Sequence, residues 1–416
     1  MSKVVLLTTN LDTRGRGFLA YKRLIERRGL GALLLDFSME REPAVPGDIT
    51  CDQVARAGGM SISEVRHEYT HNRRRATDCM IVGASSYAVR LCAEGRIHGI
   101  FGAGGATSTL ISTSIMKRLP FGFPKVMASS VASLASYIGS WVGTTDITML
   151  NTVVDVMGDN PFLHCQLSNA AAAVCGMVEM YPGVQAALEL RPERPVVGIS
   201  SFGLTEICAE RVGELLEAEG FQPVAFHSQG RGDRALDEMI REGLVAGVIE
   251  LVPRGICEEL LGGDCAAGGD RLVAAGEMGL PMVVAPGGFD QLSVGAQPGW
   301  RERFGERKAA VIDEVRVEMR TSPEECTTLG VMVAERLNRA RAPFAVVIPL
   351  GGFSSLDFPG RALFDHEADR AFTEALKASL VHTDAVREVE ANICTVEFAE
   401  ACVQAFFEMW ERSRGA

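Results

Sequence analysis

The feature that most narrows the fold is a strand, loop, helix, strand order that opens the chain and begins again near its middle. Lys3–Thr9 is a β-branched and leucine-rich run, Asn10–Gly15 is a polar loop, and the spacing predicts a helix from about Arg16 to Arg28. Gly29 and Gly31 stop that helix, and Ala32–Phe37 reads as a second strand. Strands joined through a helical crossover lie parallel and wind right-handed. Pro195–Ser201, the turn Phe202–Thr205, a helix over Glu206–Glu219 and a strand at Pro223–His227 repeat the order. Val4 to Asp36 and Val196 to His227 span nearly the same distance, which predicts two similar α/β halves.

Between these openings the pattern predicts helical segments over Thr50–Gly58 and Ser61–Arg96, strands at Ile97–Phe101, Lys125–Ser129 and Asp146–Leu150, and a closing helix at Ala170–Met180. Pro182, Gly183 and the charged stretch Glu189–Arg194 mark a linker. Beyond it, strands are expected near Ala246–Leu251, Met282–Ala285, Val315–Met319 and Phe344–Leu350, with helices between them and two more at the end. The expected architecture is two doubly wound, Rossmann-like parallel-sheet domains, residues 1–185 and 195–416, with a cleft between them. In such sheets ligands bind outside the carboxyl ends of the strands.

Composition excludes several classes. A formal charge of −12 over 416 residues gives no basic face for nucleic acid, and the only basic run, Arg73-Arg74-Arg75, reads as a solvated helix face. Eleven cysteines, an odd number without a Cys-x-x-Cys pair, define neither a disulfide framework nor a zinc ribbon. No stretch has membrane-spanning length without charge or frequent glycine, so the expected setting is the cytoplasm.

Gly99–Thr109 carries the clearest chemistry. Ile100-Phe101 close an apolar run, Gly102, Gly104 and Gly105 follow, and Ala106-Thr107-Ser108-Thr109 open a helical segment. Glycines admit close approach of a ligand and the N–H groups of a helix start attract anions, so the stretch reads as an anion cradle; a tight turn without a ligand is the alternative. It is neither the dinucleotide fingerprint nor a P-loop. Asp12, Thr13, Arg14 and Gly15 lie between the first strand and helix, where Arg14 suits phosphate or carboxylate and Asp12 suits a ribose hydroxyl, an amine or a metal-bound water, with a simple N-cap as the alternative. Ser129 and Ser130 make another polar strand end, and Asp146, beside an apolar strand, needs a buried partner or a ligand. His227 is a candidate acid/base group or a structural histidine, and Ser354 and Asp357 follow a further glycine turn. His67-Glu68-Tyr69-Thr70-His71 matches the zinc motif His-Glu-x-x-His, but it runs into three arginines that repel a metal and has no third ligand, so no metal site is expected. No Gly-x-Ser-x-Gly elbow is present, against a conventional serine hydrolase.

These residues resemble, over nearly the whole chain, the ATP-binding domain family typified by the N-terminal region of the tomato mosaic virus resistance protein, largely bacterial proteins of unknown function. The resemblance is carried by Leu11-Asp12-Thr13-Arg14-Gly15, Gly102–Thr109, Leu119–Lys125, Thr144–Met149, Val153–Asn160, Phe226–Gly230 and Pro349–Asp357. It implies two α/β domains, self-association into a homo-oligomer, and ATP, with or without Mg²⁺, on the glycine-rich loops of the first domain. Two departures stand out: Arg16-Gly17 where the family has an acidic residue, and Val311-Ile312-Asp313-Glu314 where it often carries a His-Asn pair. The leading expectation is an ATP-binding protein whose second domain presents His227, Ser354 and Asp357 to a small anionic metabolite. The alternative is a metabolic enzyme of hydrolase or lyase type on a small carbonyl or carboxylate compound, without ATP turnover, with Asp146 or His227 as base. No nucleic-acid or membrane partner is expected.

Overall fold

The computed structural model describes residues 2–43, 45–158, 160–182, 194–296 and 298–415. It divides into two compact units, Met1–Arg191 and Pro192–Ala416. The proposed linker falls almost wholly on residues 183–193, outside the described residues.

The first unit holds one five-stranded sheet of β1 (Val4–Thr9), β2 (Gly31–Asp36), β3 (Gly99–Gly104), β4 (Lys125–Ser129) and β5 (Thr148–Asn151), in the order β2-β1-β3-β4-β5. Every pairing is parallel. Side chains alternate across a strand, so Val5 and Leu7 pack on one face with the helices Leu11–Arg27 and Pro161–Met180, through Phe18, Tyr21, Leu163 and Val174. Leu6 and Ile100 pack on the other face with helices Cys51–Ala57, Ile62–His71, Arg73–Ala93 and Ala106–Met116.

The second unit repeats this winding. β6 (Val196–Ser201), β7 (Gln222–His227), β8 (Gly247–Glu250), β9 (Met282–Val284), β13 (Phe344–Pro349) and β14 (Val386–Val389) form a parallel sheet ordered β14-β13-β9-β8-β6-β7. In both units the strand sequence runs outward from the first strand in two directions, the doubly wound α/β arrangement expected from the sequence. The strand expected at Val315–Met319 is not in that sheet. It is β12 (Arg316–Arg320), the centre of a separate antiparallel sheet between β10 (Gln291–Gly295) and β11 (Ala309–Val311).

Two further boundaries differ for identifiable reasons. The first helix begins at Leu11 rather than Arg16, because the buried Asp36 carboxylate accepts the Leu11 N–H (3.0 Å) and Ser38 Oγ accepts the Asp12 N–H (2.9 Å). The helix expected over Ser61–Arg96 is broken at Asn72, whose non-helical backbone (φ −144°, ψ 73°) ends one helix while its side chain accepts the Arg75 N–H of the next. Asp36 Oδ1 also accepts Ser38 N–H (2.9 Å), and burial raises the Asp36 pKa. Removing this carboxylate strands two buried N–H donors, so Asp36→Ala is expected to lower the unfolding free energy by ~2–3 kcal/mol, read from urea denaturation of the full chain; an unchanged midpoint would show that these caps contribute nothing.

Candidate functional site

β1 and β3 are neighbours, yet the helices that follow them pack on opposite faces of the sheet, so a crevice opens between their carboxyl ends. A cavity of about 390 Å³ lies there. The helix starts Leu11–Arg27 and Ala106–Met116 both border it, and they are finished differently. Asp36 and Ser38 take the N–H groups of the first. The second has Gly105 as N-cap and no side-chain cap, and the first-turn N–H groups of a helix have no acceptor within it. Ala106, Thr107 and Ser108 line the cavity, so the partial positive charge of this helix start faces open space.

Asn10 ties the two loops together. Its Oδ1 accepts from Ser108 Oγ (2.9 Å) and from Arg14, and its Nδ2 donates to Asp12 Oδ1 (3.0 Å). Arg14 is further oriented by Nε donating to Val156 O (2.8 Å). Burial lowers the Arg14 pKa, with Asp155 and then Asp12 opposing. Asp155 accepts Ser130 Oγ (3.1 Å) and Val156 N–H (2.8 Å), and Asp12 Oδ2 accepts Glu40 and Arg41 N–H groups (3.3 and 3.4 Å).

Of the expected nucleotide-loop residues, Asp12, Thr13, Arg14, Gly105, Ala106, Thr107 and Ser108 line the cavity. Gly104 sits immediately behind: a Cβ there would lie 2.3 Å from Ser108 Cβ, whereas a Cβ on Gly105 would meet only Ser130 Oγ, at 3.8 Å. Gly15, Gly102, Thr109 and Ser129 belong to the packing beneath, where Thr109 Oγ1 and Ser129 Oγ pair at 2.7 Å. Residues that sequence reasoning passed over complete the wall: Asn10, Phe37, Met39, Glu40, Arg41, Tyr69, Arg73 and Asp155–Met157. Tyr69 and Arg73 lie in or beside the stretch weighed only as a metal motif. Its histidines stack on each other with ring centroids 4.2 Å apart.

The four candidate catalytic residues are not part of this cavity. Asp146 precedes β5, at the amino edge of the sheet, and its carboxylate is held by the fully buried Lys125 Nζ (2.6 Å) and Gly122 N–H (2.7 Å). That ion pair accounts for the carboxylate without a role as base. His227 ends β7, exposed, its ring edge-to-face with Phe202 at 6.3 Å. Ser354 and Asp357 are fully buried. Ser354 Oγ donates to Asp290 Oδ2 (2.6 Å), and Asp357 accepts Phe353 and Asp365 N–H groups (3.0 and 3.3 Å) and lies 3.7 Å from Arg320, which also pairs with Asp369. The departure at Val311–Glu314 is an exposed hairpin in which Asp313 binds Arg316 (2.8 Å).

Two parallel sheets wound in the same order, one with an open cavity at its crossover, define a two-unit α/β protein of Rossmann-like type. Residues 3–183 match the N-terminal domain, and 194–410 the C-terminal domain, of the uncharacterised protein family UPF0261. The chain belongs to that family. A UPF0261 protein of Clostridium tetani is 36% identical over 414 residues, covering 99% of this chain and 100% of its own. The tomato (Solanum lycopersicum) ToMV resistance protein Tm-1(GCR237) is 32% identical over 323 residues, 77% of this chain but only 43% of the tomato protein. Among solved structures, a UDP-N-acetylglucosamine 2-epimerase is 9% identical with a TM-score of 0.22, over 100% of this chain and 94% of that one.

The second unit's buried carboxylates give a pH signature. Burial raises Asp290 and Asp369, and brings Asp237 to about 7 despite its contact with Arg271. In an unfolded chain the same groups titrate near ~3.9. The folded state therefore holds more protons between about pH 4 and pH 7, and stability falls as pH rises through that window. Thermal melts are expected to show a lower Tm at pH 8 than at pH 5.5, and Asp290→Asn, which keeps the shape and removes a titrating group, is expected to shrink the difference; a Tm that rises over this range would contradict the assignment.

Proposed function

We propose that the first unit binds ATP, with the phosphates on the N–H groups of Ala106, Thr107 and Ser108 and beside Arg14. The observation that carries this reading is the uncapped start of the helix Ala106–Met116 opening on a 390 Å³ cavity at the β1/β3 crossover, while the neighbouring helix start is closed by Asp36 and Ser38. A helix start supplies main-chain donors and about half a positive charge, and Arg14 adds a guanidinium suited to phosphate. The bareness of Gly105 allows a phosphate close to the backbone. Among the described residues no group of three or more His, Cys, Asp and Glu side chains could hold a metal ion. Mg²⁺ in this reading arrives with the nucleotide, and Asp12, Glu40 and Asp155 are the carboxylates on the cavity wall that could meet it.

Calorimetry with ATP on the full chain tests the reading. Wild type is expected to bind. Gly105→Ala, whose added methyl meets nothing closer than 3.8 Å and so leaves the fold intact, is expected to weaken binding about tenfold, ~1.4 kcal/mol. Arg14→Gln, which removes one charge-assisted contact, is expected to weaken it ~10- to 100-fold. No heat with wild type would remove the reading.

A further inference from the structure

The cavity wall also carries apolar side chains. Phe37, Met39 and Tyr69 line it, beside the charged Glu40, Arg41 and Arg73. Phe37 and Met39 are members of the unit's buried core, 1% and 5% exposed, and Tyr69 packs partly buried against the same cluster. The wall is thus the outer skin of a packed core, which holds its shape without a ligand.

Arg73 lies on this wall against an aromatic ring. Its guanidinium carbon sits 4.4 Å over the Tyr69 ring and its Nη2 donates to Tyr69 Oη. The next two arginines behave as a solvated face should: Arg74 pairs with Asp78 and Arg75 with Glu68. Arg73 instead sits over a ring. A planar, weakly hydrated cation held that way stacks on flat π-systems, as do Tyr and Phe rings.

We infer that this wall seats a heteroaromatic base, and that Tyr69 and Arg73 are specificity-determining residues that make the first unit select a nucleotide over a bare polyphosphate. The inference rests on the ATP reading above: with the anionic end fixed on the Ala106 helix start, the flat end of the ligand meets the apolar side chains of the same cavity. It also gives Tyr69, a spacer in the His-Glu-x-x-His stretch, a role independent of any metal.

Calorimetry with ATP and, separately, with sodium tripolyphosphate tests it on wild type, Tyr69→Ala, Tyr69→Phe and Arg73→Ala. Wild type is expected to prefer ATP. Tyr69→Ala and Arg73→Ala are each expected to weaken ATP about tenfold while leaving tripolyphosphate affinity unchanged, and Tyr69→Phe, which keeps the ring, to retain most of the preference. Arg73 is exposed, so its variant remains informative if Tyr69→Ala fails to fold. Equal wild-type affinity for the two ligands, or equal weakening of both by Tyr69→Ala and Arg73→Ala, overturns this inference and leaves ATP binding standing. Binding of neither by wild type overturns the ATP reading and this inference with it.

Discussion

One carboxylate decides what the first unit presents at its carboxyl edge. Parallel winding from β1 outward puts two helix starts side by side, one packed on each face of the sheet. Each carries the partial positive charge of its unsatisfied N–H groups. Asp36, from the end of β2, is buried against the first and neutralises it, so the field at the crossover belongs to the second. In dinucleotide-binding folds an acidic residue in the corresponding region holds a ribose. Here Asp36 is turned inward to Leu11 and Ser38, so it has no carboxylate oxygen exposed for a sugar, consistent with a loop that lacks the dinucleotide fingerprint.

The second unit shows that the same winding order does not make the same edge. Its glycine turns look like the cradle of the first in sequence, yet a Cβ at Gly352 would sit 1.6 Å from Asp357 O, while one at Gly105 would meet only a serine hydroxyl. The Gly352 turn is a junction where two backbones touch; the Gly105 turn faces space. Around those junctions Arg271 meets Asp233, Asp237 and Glu250, and Arg254 meets Glu258 and Glu318. Burial outweighs the attraction to the guanidinium in both clusters and raises Asp233, Asp237 and Glu258, with neighbouring carboxylates adding to the rise. Such groups contribute little net stability against an apolar core, but they join loop to helix in one geometry.

Local sequence made the parallel sheets and the loops Asp12–Arg14 and Gly105–Ser108 legible, because strand periodicity and glycine turns are written in neighbouring residues. What it left out is non-local. The extra turn of the first helix depends on Asp36, over twenty residues on. Asp146 reads as a candidate base until Lys125 is seen folded against it. β14 and the antiparallel sheet are held by partners far along the chain. Arg73 is indistinguishable from Arg74 and Arg75 in a run of three, since only the position of Tyr69 relative to the cavity separates them.

The loop after β5 gives a second reason to regard that cavity as shaped rather than incidental. Val153 has φ +63°, a left-handed conformation that a β-branched side chain adopts only under constraint, at ~1–3 kcal/mol. It is 80% exposed, so no packing of its own side chain explains the strain. The neighbours do: Asn151 Oδ1 accepts its N–H (3.2 Å), and Thr152 Oγ1 donates to Val154 O (2.7 Å). The turn they enforce delivers Asp155 to Ser130 and the Val156 carbonyl to Arg14 Nε. The strained residue therefore lies two and three positions before Asp155 and Val156, which act on the Arg14 guanidinium, and relaxing it would release that guanidinium from its support.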